Sequence, residues 1–442
     1  MRRRRAASGV AAALGVLVAI SIAPAVSAEP NSRQIIRTHR LIAGGITQAA
    51  APIPDRSLHP SRAGAATGTY RIATVDSSPY TGFENAVYAP TKRTVYVAYK
   101  RFLRNPYDPG GDVVPAQLRV AKSIDGGATW KIRVVDREAA EQGDLYQQSV
   151  SIGGDGGDTV YVAYLVEGGG GGFRVAKSTD GGVTWSRKTI STSEVGTYNA
   201  IKVLDANDVL LVGERLYPRE ALRLFATTNG GAHWVRSTVS PFGWYMGLDT
   251  DSTGRLWLSH YHPGDTDLYV DSSPSAAGPW TDTLVDGTNE GTTCPCTGLG
   301  SALAVSRNDV YVSYENFDSD GSVVRVAGST DGGDTWTISG VAPGGWNTSI
   351  ATRRSATPGQ TELFVTYWWV KGSPLRAKTK IAISPDGGAT WSIERIPDPL
   401  CSTGYIDIAA PRRTLQYVSY QVTTHGCLTP PSALHVARID RP

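Results

Sequence analysis

The chain is predicted to be an all-β, seven-bladed β-propeller, on three observations. An eight-residue phrase recurs about every 50 residues. Runs of β-branched and aromatic residues of strand length stand at fixed offsets from that phrase. The last repeat is one strand short, while an unassigned strand stands ahead of the first repeat. A period of this length is too short for a domain and suits one four-stranded sheet, the unit that propellers repeat around an axis.

The phrase first reads Ser123-Ile124-Asp125-Gly126-Gly127-Ala128-Thr129-Trp130. It returns at 178–185, 227–234, 329–336 and 384–391, and in decayed form at 273–280, where the serine and tryptophan survive without the aspartate. Its tryptophans are 55, 49, 46, 56 and 55 residues apart. Asp125, Asp180, Asn229, Asp331 and Asp386 occupy one position in it. Aspartate or asparagine there accepts backbone N–H groups within a turn, and the glycines supply positive φ. The phrase therefore joins a blade's third and fourth strands, and its side chains are structural. A catalytic site needs one asymmetric set of groups rather than the same group repeated around a ring.

The remaining elements follow in order. Residues 1–28 carry Arg2–Arg5, an apolar stretch from Gly9 to Ala23, and small residues at Val26-Ser27-Ala28, the pattern of a cleaved signal peptide. Secretion is expected. Residues 29–67 are rich in Ala, Pro, Ser and Arg and form a flexible or wrapping segment, and 68–442 form the single propeller domain. The formal charge is +3 for the whole chain and −1 without the four leading arginines, which gives no reason to expect nucleic acid as a partner. No later stretch is long and apolar enough to span a bilayer.

First strands begin near Phe83, Tyr146, Tyr198, Trp244, Gly298, Asn347 and Tyr405, which counts seven blades; the phrase alone counts six, the runner-up. Thr94–Tyr99 and Asp309–Tyr314 fit second strands sandwiched between neighbouring blades. The seventh unit ends at Ser432–Arg438, so Thr69–Thr74 is expected to pair beside Leu434–Ile439 and close the ring.

Ser-x-Asp-x-Gly-x-Thr-Trp resembles the Asp-box, or BNR repeat, of bacterial sialidases and related propellers, over roughly residues 68–440. The resemblance implies the propeller superfamily rather than sialidase activity. In sialidases it implies an arginine triad, an acid/base aspartate and a tyrosine nucleophile activated by glutamate. The Arg-Ile-Pro motif that supplies the first arginine has two partial matches, Tyr70-Arg71-Ile72-Ala73, which lacks the proline, and Arg395-Ile396-Pro397, which follows the last phrase.

A ligand site belongs on the face opposite the phrases, where second-to-third loops and blade-to-blade loops meet. Candidate catalytic residues there are Glu214, His260, Tyr261, His262, Tyr405 and Asp407. Candidate substrate-binding residues are Arg101, Arg215, Arg219, Trp244, Tyr245, Asn347 and Trp368. Sugars call for this mixture, with planar groups for hydroxyls and flat rings for C–H faces. Glu214-Arg215 with Arg219-Glu220 suits a retaining or inverting hydrolase of acidic sugars. His260 and His262, with Asp265 and Asp267 nearby, suit a metal shell or proton transfer.

Cys401 and Cys427 bracket the seventh blade and are expected to form a disulfide; Cys294 and Cys296 allow a tight local bridge, a soft metal, or a partner elsewhere. The sequence requires no cofactor and allows a divalent metal. The expected function is a secreted, glycan-directed protein, either a glycoside hydrolase or a polysaccharide lyase acting on an acidic carbohydrate. The alternative is a noncatalytic carbohydrate- or protein-binding propeller. The expected partner is an extracellular carbohydrate or small molecule, met by a monomer.

Overall fold

The computed structural model describes residues 68–106, 113–139, 141–142, 149–167, 171–192, 196–215, 220–287, 296–318, 321–372, 375–427 and 431–442. The expected signal peptide, the 29–67 segment, Arg219 and Cys294 lie outside them.

Seven four-stranded antiparallel sheets are present. Strand β1 (Thr69–Asp76) precedes blade I, which is β2 (Thr81–Tyr88), β3 (Val95–Phe102), β5 (Ala116–Ser123) and β6 (Lys131–Asp136). Blade II is β8 (Val150–Gly154), β9 (Val160–Val166), β10 (Gly172–Ser178) and β11 (Ser186–Ser191). Blade III is β12 (Asn199–Val203), β13 (Val209–Arg215), β14 (Ala221–Thr227) and β15 (Val235–Ser240). Blade IV is β16 (Trp244–Thr250), β17 (Leu256–His262), β18 (Asp267–Ser273) and β19 (Thr281–Asp286). Blade V is β20 (Cys296–Ser306), β21 (Asp309–Asp318), β22 (Gly321–Ser329) and β23 (Thr337–Pro343). Blade VI is β24 (Gly345–Arg354), β25 (Thr361–Lys371), β26 (Arg376–Ser384) and β27 (Ser392–Arg395). Blade VII is β28 (Cys401–Arg412), β29 (Leu415–Thr423) and β30 (Ser432–Asp440), completed by β1. A small ribbon, β4 (Val113–Val114) with β7 (Glu141–Gln142), was not foreseen from the sequence.

The ring closes as expected. Thr69 faces Asp440 and Thr74 faces His435 across β1 and β30, so both chain ends of the domain are paired rather than left as open edges. Cys401 and Cys427 form a disulfide in this closing blade.

The second strands are buried because β-branched and aromatic residues fill the space on both of their faces. Val95–Tyr99, Val160–Val166 and Val209–Val212 are examples. Their tyrosines also carry polar bridges between blades. Tyr99 and Arg119 of blade I both donate to Asp76 of the preceding sheet, at 2.7 and 2.8 Å. Tyr164 and Arg174 repeat this on Asp136, and Tyr314 and Arg325 on Asp286.

The repeated phrase forms the turn between third and fourth strands. In blade I, Asp125 accepts the N–H groups of Ala128 and Thr129, each at 3.0 Å, and the Thr129 hydroxyl at 2.6 Å. Trp130 Nε1 donates to the Gly127 carbonyl at 3.1 Å. Asn229 does the aspartate's work in blade III by accepting His233 N–H. These turns pack on the preceding blade: a Cβ on Gly333, whose φ is +91°, would fall 2.8 Å from the Trp257 ring. Glycine is required there on both counts.

Candidate functional site

The mouth on the loop face is shaped by irregular first strands. Register breaks interrupt the pairing of β2, β16, β20, β24 and β28 with their neighbours. Glu84, Tyr245 and Asn347 take φ values of 51°, 53° and 52°, an uncommon conformation for non-glycine residues. Such bulges free backbone N–H groups from the ladder, and each needs another acceptor.

Carboxylates supply those acceptors. Glu315 of β21 accepts the Asn347 N–H of the next blade. Glu214 accepts the N–H of Tyr198, just ahead of β12, at 3.1 and 2.9 Å. Asp407 accepts Val87 N–H at 2.7 Å and the Ser349 hydroxyl at 2.6 Å, tying blade VII to blades I and VI. Glu84 is paired with Lys100 at 3.0 Å, both side chains fully buried, and Ser149 bridges them.

Burial pushes the Glu214 and Glu315 carboxyls up to about 8, against a smaller opposing effect of the backbone N–H groups they accept. Both therefore favour the protonated form near neutral pH. Burial raises Asp407 as well. Shifts of this kind occur at catalytic sites and also in structural networks. Here each acid is committed to holding a first strand.

The aromatic candidates divide into two groups. Trp244, Tyr245, Tyr261 and Tyr405 are buried. Tyr245 lies on Tyr198 with ring centroids 4.3 Å apart, and Tyr405 meets Phe83 at 5.4 Å. Tyr261 donates to Cys296 Sγ at 3.7 Å; Cys296 is itself disulfide-bonded. Trp368 and Asn347, in contrast, are partly exposed.

Around this second pair lie two residues that sequence reasoning missed. Trp346 is the cross-strand partner of Trp368, and Phe317 of blade V meets the Trp346 ring at 5.6 Å. All three aromatics are partly exposed. The Trp368 indole is anchored by donating to the Ser402 carbonyl at 2.9 Å. Asn347 Nδ2 has no hydrogen-bond partner among the described residues. It sits where a Cβ on Gly404 would stand 2.2 Å away. The three rings form a partly exposed ledge at the mouth, while the Asn347 nitrogen beside them is itself buried against Gly404. The signal available beforehand was the aromatic pair at the loop-side ends of β24 and β25, but it becomes a surface only once the blades are docked.

Arg101 and Arg215 are partly exposed at the loop-side ends of β3 and β13. Arg71 stands on the outermost strand of blade VII, its side chain 70% exposed and 3.6 Å from Asp440. Arg395 ends β27, the outermost strand of blade VI. Neither partial Arg-Ile-Pro match reaches the axis. A shallow cleft of about 380 Å³ lined by Arg174, Trp185 and Arg187 lies on the rim of blade II, and Asp136 already pairs both arginines.

In blade IV, His262 turns to Asp265, which also accepts the Tyr269 hydroxyl at 2.8 Å. His260 instead meets Asp271 of β18, with Nε2 3.0 Å from Oδ2, and Asp282 of β19 stands beside them. These three residues, rather than a shell completed by Asp265 or Asp267, are the grouping among the described residues with the geometry to hold a metal. Asp271 and Asp282 were not singled out in the sequence, although aligning the repeats exposes an aspartate where most other blades have alanine.

No protein-family model and no curated protein matches the chain. Among solved structures it is similar to YCF48 bound to a D1 peptide, at 13% identity and a TM-score of 0.50, over 89% of this chain and 100% of that one. It is similar to a protein of unknown function from Dyadobacter fermentans at 14% identity and 0.49, over 84% and 99%. It is also similar to Trypanosoma rangeli sialidase in complex with sialic acid at 12% identity and 0.44, over 88% and 59%. The likeness is one of fold. At these identities it assigns the propeller and no activity.

Proposed function

We propose that this protein is a secreted, noncatalytic propeller that binds carbohydrate on its loop face. The observation that carries this reading is the partly exposed ledge of Phe317, Trp346 and Trp368. Aromatic faces take the C–H surface of a sugar ring.

The mouth carboxylates support binding over hydrolysis. A glycosidase needs two carboxyl groups free to meet the scissile bond. Glu84, Glu214, Glu315 and Asp407 are engaged with Lys100 or with backbone N–H groups. The leading segment of the chain and the Cys401–Cys427 disulfide both suit an oxidising, extracytoplasmic setting. A second reading, peptide binding on the same face, draws on YCF48, a propeller of this fold solved with a peptide bound.

The test is a glycan-array screen followed by calorimetry on the hits. Trp346→Ala and Trp368→Ala are expected to weaken binding at least about tenfold each, the equivalent of ~1.4 kcal/mol. Glu214→Gln is expected to bind like wild type. Release of reducing ends by wild type, abolished in Glu214→Gln, would establish an enzyme instead. Binding of peptides but of no glycan would establish the second reading.

A further inference from the structure

We infer that His260, Asp271 and Asp282 of blade IV form a binding site for a divalent transition-metal cation. The inference begins with the repeats. Third strands place a fully buried alanine at one position, Ala121, Ala176, Ala327, Ala382 and Ala437, and blade III has the buried Phe225. Blade IV has Asp271 there, with 0% exposure. Second strands place a buried tyrosine at another position, Tyr99, Tyr164, Tyr314, Tyr367 and Tyr420. Blade IV has His260, also 0% exposed.

An aspartate in an alanine's place is costly. A buried carboxylate is tolerated when paired and hydrogen-bonded, or when it coordinates a metal. Elsewhere such acids are well served: Asp76, Asp136 and Asp286 each receive a tyrosine hydroxyl and an arginine. Asp271 is not. Neither of its carboxylate oxygens, and neither ring nitrogen of His260, has a hydrogen-bond partner among the described residues. The 3.0 Å approach of His260 Nε2 to Asp271 Oδ2 is close enough for attraction and badly aimed for a hydrogen bond.

Asp282 completes the set. It is the cross-strand partner of Asp271, and one donor atom from each of the three residues lies within 4.8 Å of the others. In zinc sites, donors held ~2.1 Å from the metal stand roughly 3.4 Å apart, so small side-chain rotations close the cluster around an ion. Two carboxylate oxygens and one imidazole nitrogen suit Zn²⁺ or Mn²⁺ better than Mg²⁺. Asp282 is exposed, which leaves solvent access for the remaining coordination positions.

The site also has a structural task. Blade IV carries the decayed phrase: Ser275 replaces the aspartate, and the turn retains only Ser273 and Ser275 contacts. A cation held by β17, β18 and β19 would fasten the outer strand of the blade whose turn fastens it least.

The test uses the full chain, stripped with EDTA and titrated with Zn²⁺ and with Mn²⁺ by calorimetry, with thermal unfolding in parallel. One ion per chain is expected, raising Tm. Asp271→Ala restores the residue of the other blades and should fold, yet lose affinity by at least about 100-fold together with the metal-dependent rise in Tm. Asp282→Asn, at an exposed position, should lose at least about tenfold. Asp265→Asn should bind as wild type, since Asp265 serves His262. No saturable binding by wild type, or unchanged binding in Asp271→Ala, would overturn the inference.

Discussion

The turns of the repeated phrase and the acids of the mouth use the same chemical group to opposite ends. Asp180 and Asp331 are exposed and Asp125 is partly exposed, yet threonine hydroxyls, then threonine N–H groups and serine hydroxyls, hold all three below the usual carboxylate range; Asp331 falls to about 2. Glu214 and Glu315 are buried and rise to about 8. Asp136 separates the causes. Burial pushes it up, but Tyr164, Glu138 N–H, Arg174 and Arg187 together bring it below its ordinary value. Burial alone therefore does not set the ionisation; Asp136 differs from Glu214 in having two arginines among its partners.

The largest effect should come from breaking the buried ion pair at the mouth. Lys100→Met leaves Glu84 buried without its counter-ion and should cost about 3–5 kcal/mol in urea unfolding. Adding Glu84→Gln should recover most of that loss. If the double variant is no better than the single, the lysine matters through packing alone.

Next comes the pH dependence. Glu214 and Glu315 hold their protons more tightly folded than unfolded, so the native state binds more protons between the two values. Stability should then fall as pH rises from about 4.5 through about 8. Glu214→Gln and Glu315→Gln keep an acceptor without the titration, and each should remove on the order of 5 kcal/mol of that fall. Parallel stability curves for wild type and variants between pH 5 and 8.5 would refute the assignment.

A smaller loss is expected from Tyr164→Phe, which removes a buried donor 2.6 Å from Asp136. About 1–2 kcal/mol should be lost at pH 7. The acid side of the stability curve should also shift. Asp136 is held low in the fold, so it stabilises above the unfolded carboxylate range and loses that contribution as pH falls through its folded value. With Tyr164 gone, the loss should begin at higher pH.

The smallest effect belongs to one turn among several. Asp180→Ala should lower Tm only slightly, because the carboxylate is exposed and the strands it joins are paired independently. The same change at Asp386, which is partly buried, should cost more. Equal losses at both would argue that burial contributes nothing at these turns.

The phrase was legible because all its hydrogen bonds lie within eight residues, so sequence spacing states the geometry. Ring closure was legible for a related reason. A missing strand at one end and a surplus strand at the other have a single economical solution, and Thr69–Thr74 pairs with His435–Asp440 accordingly. Trp368 and Asn347 were named for the mouth, but Phe317 and Trp346 were not, because the ledge is assembled from blades V and VI. Trp244 and Tyr245 look just as suitable for a ligand in sequence and are buried. Glu214 reads as a loop-edge acid and proves to be fixed to a backbone N–H.

By itself, then, the sequence determined the blade count, the turn chemistry and the closure, since periodicity and local hydrogen bonding repeat along the chain. Only the tertiary structure decided which acids keep their protons, which aromatic rings remain partly exposed, and that His260 meets Asp271 and Asp282. Those outcomes depend on burial and on groups brought in from other strands and blades, and neither quantity is written in local spacing.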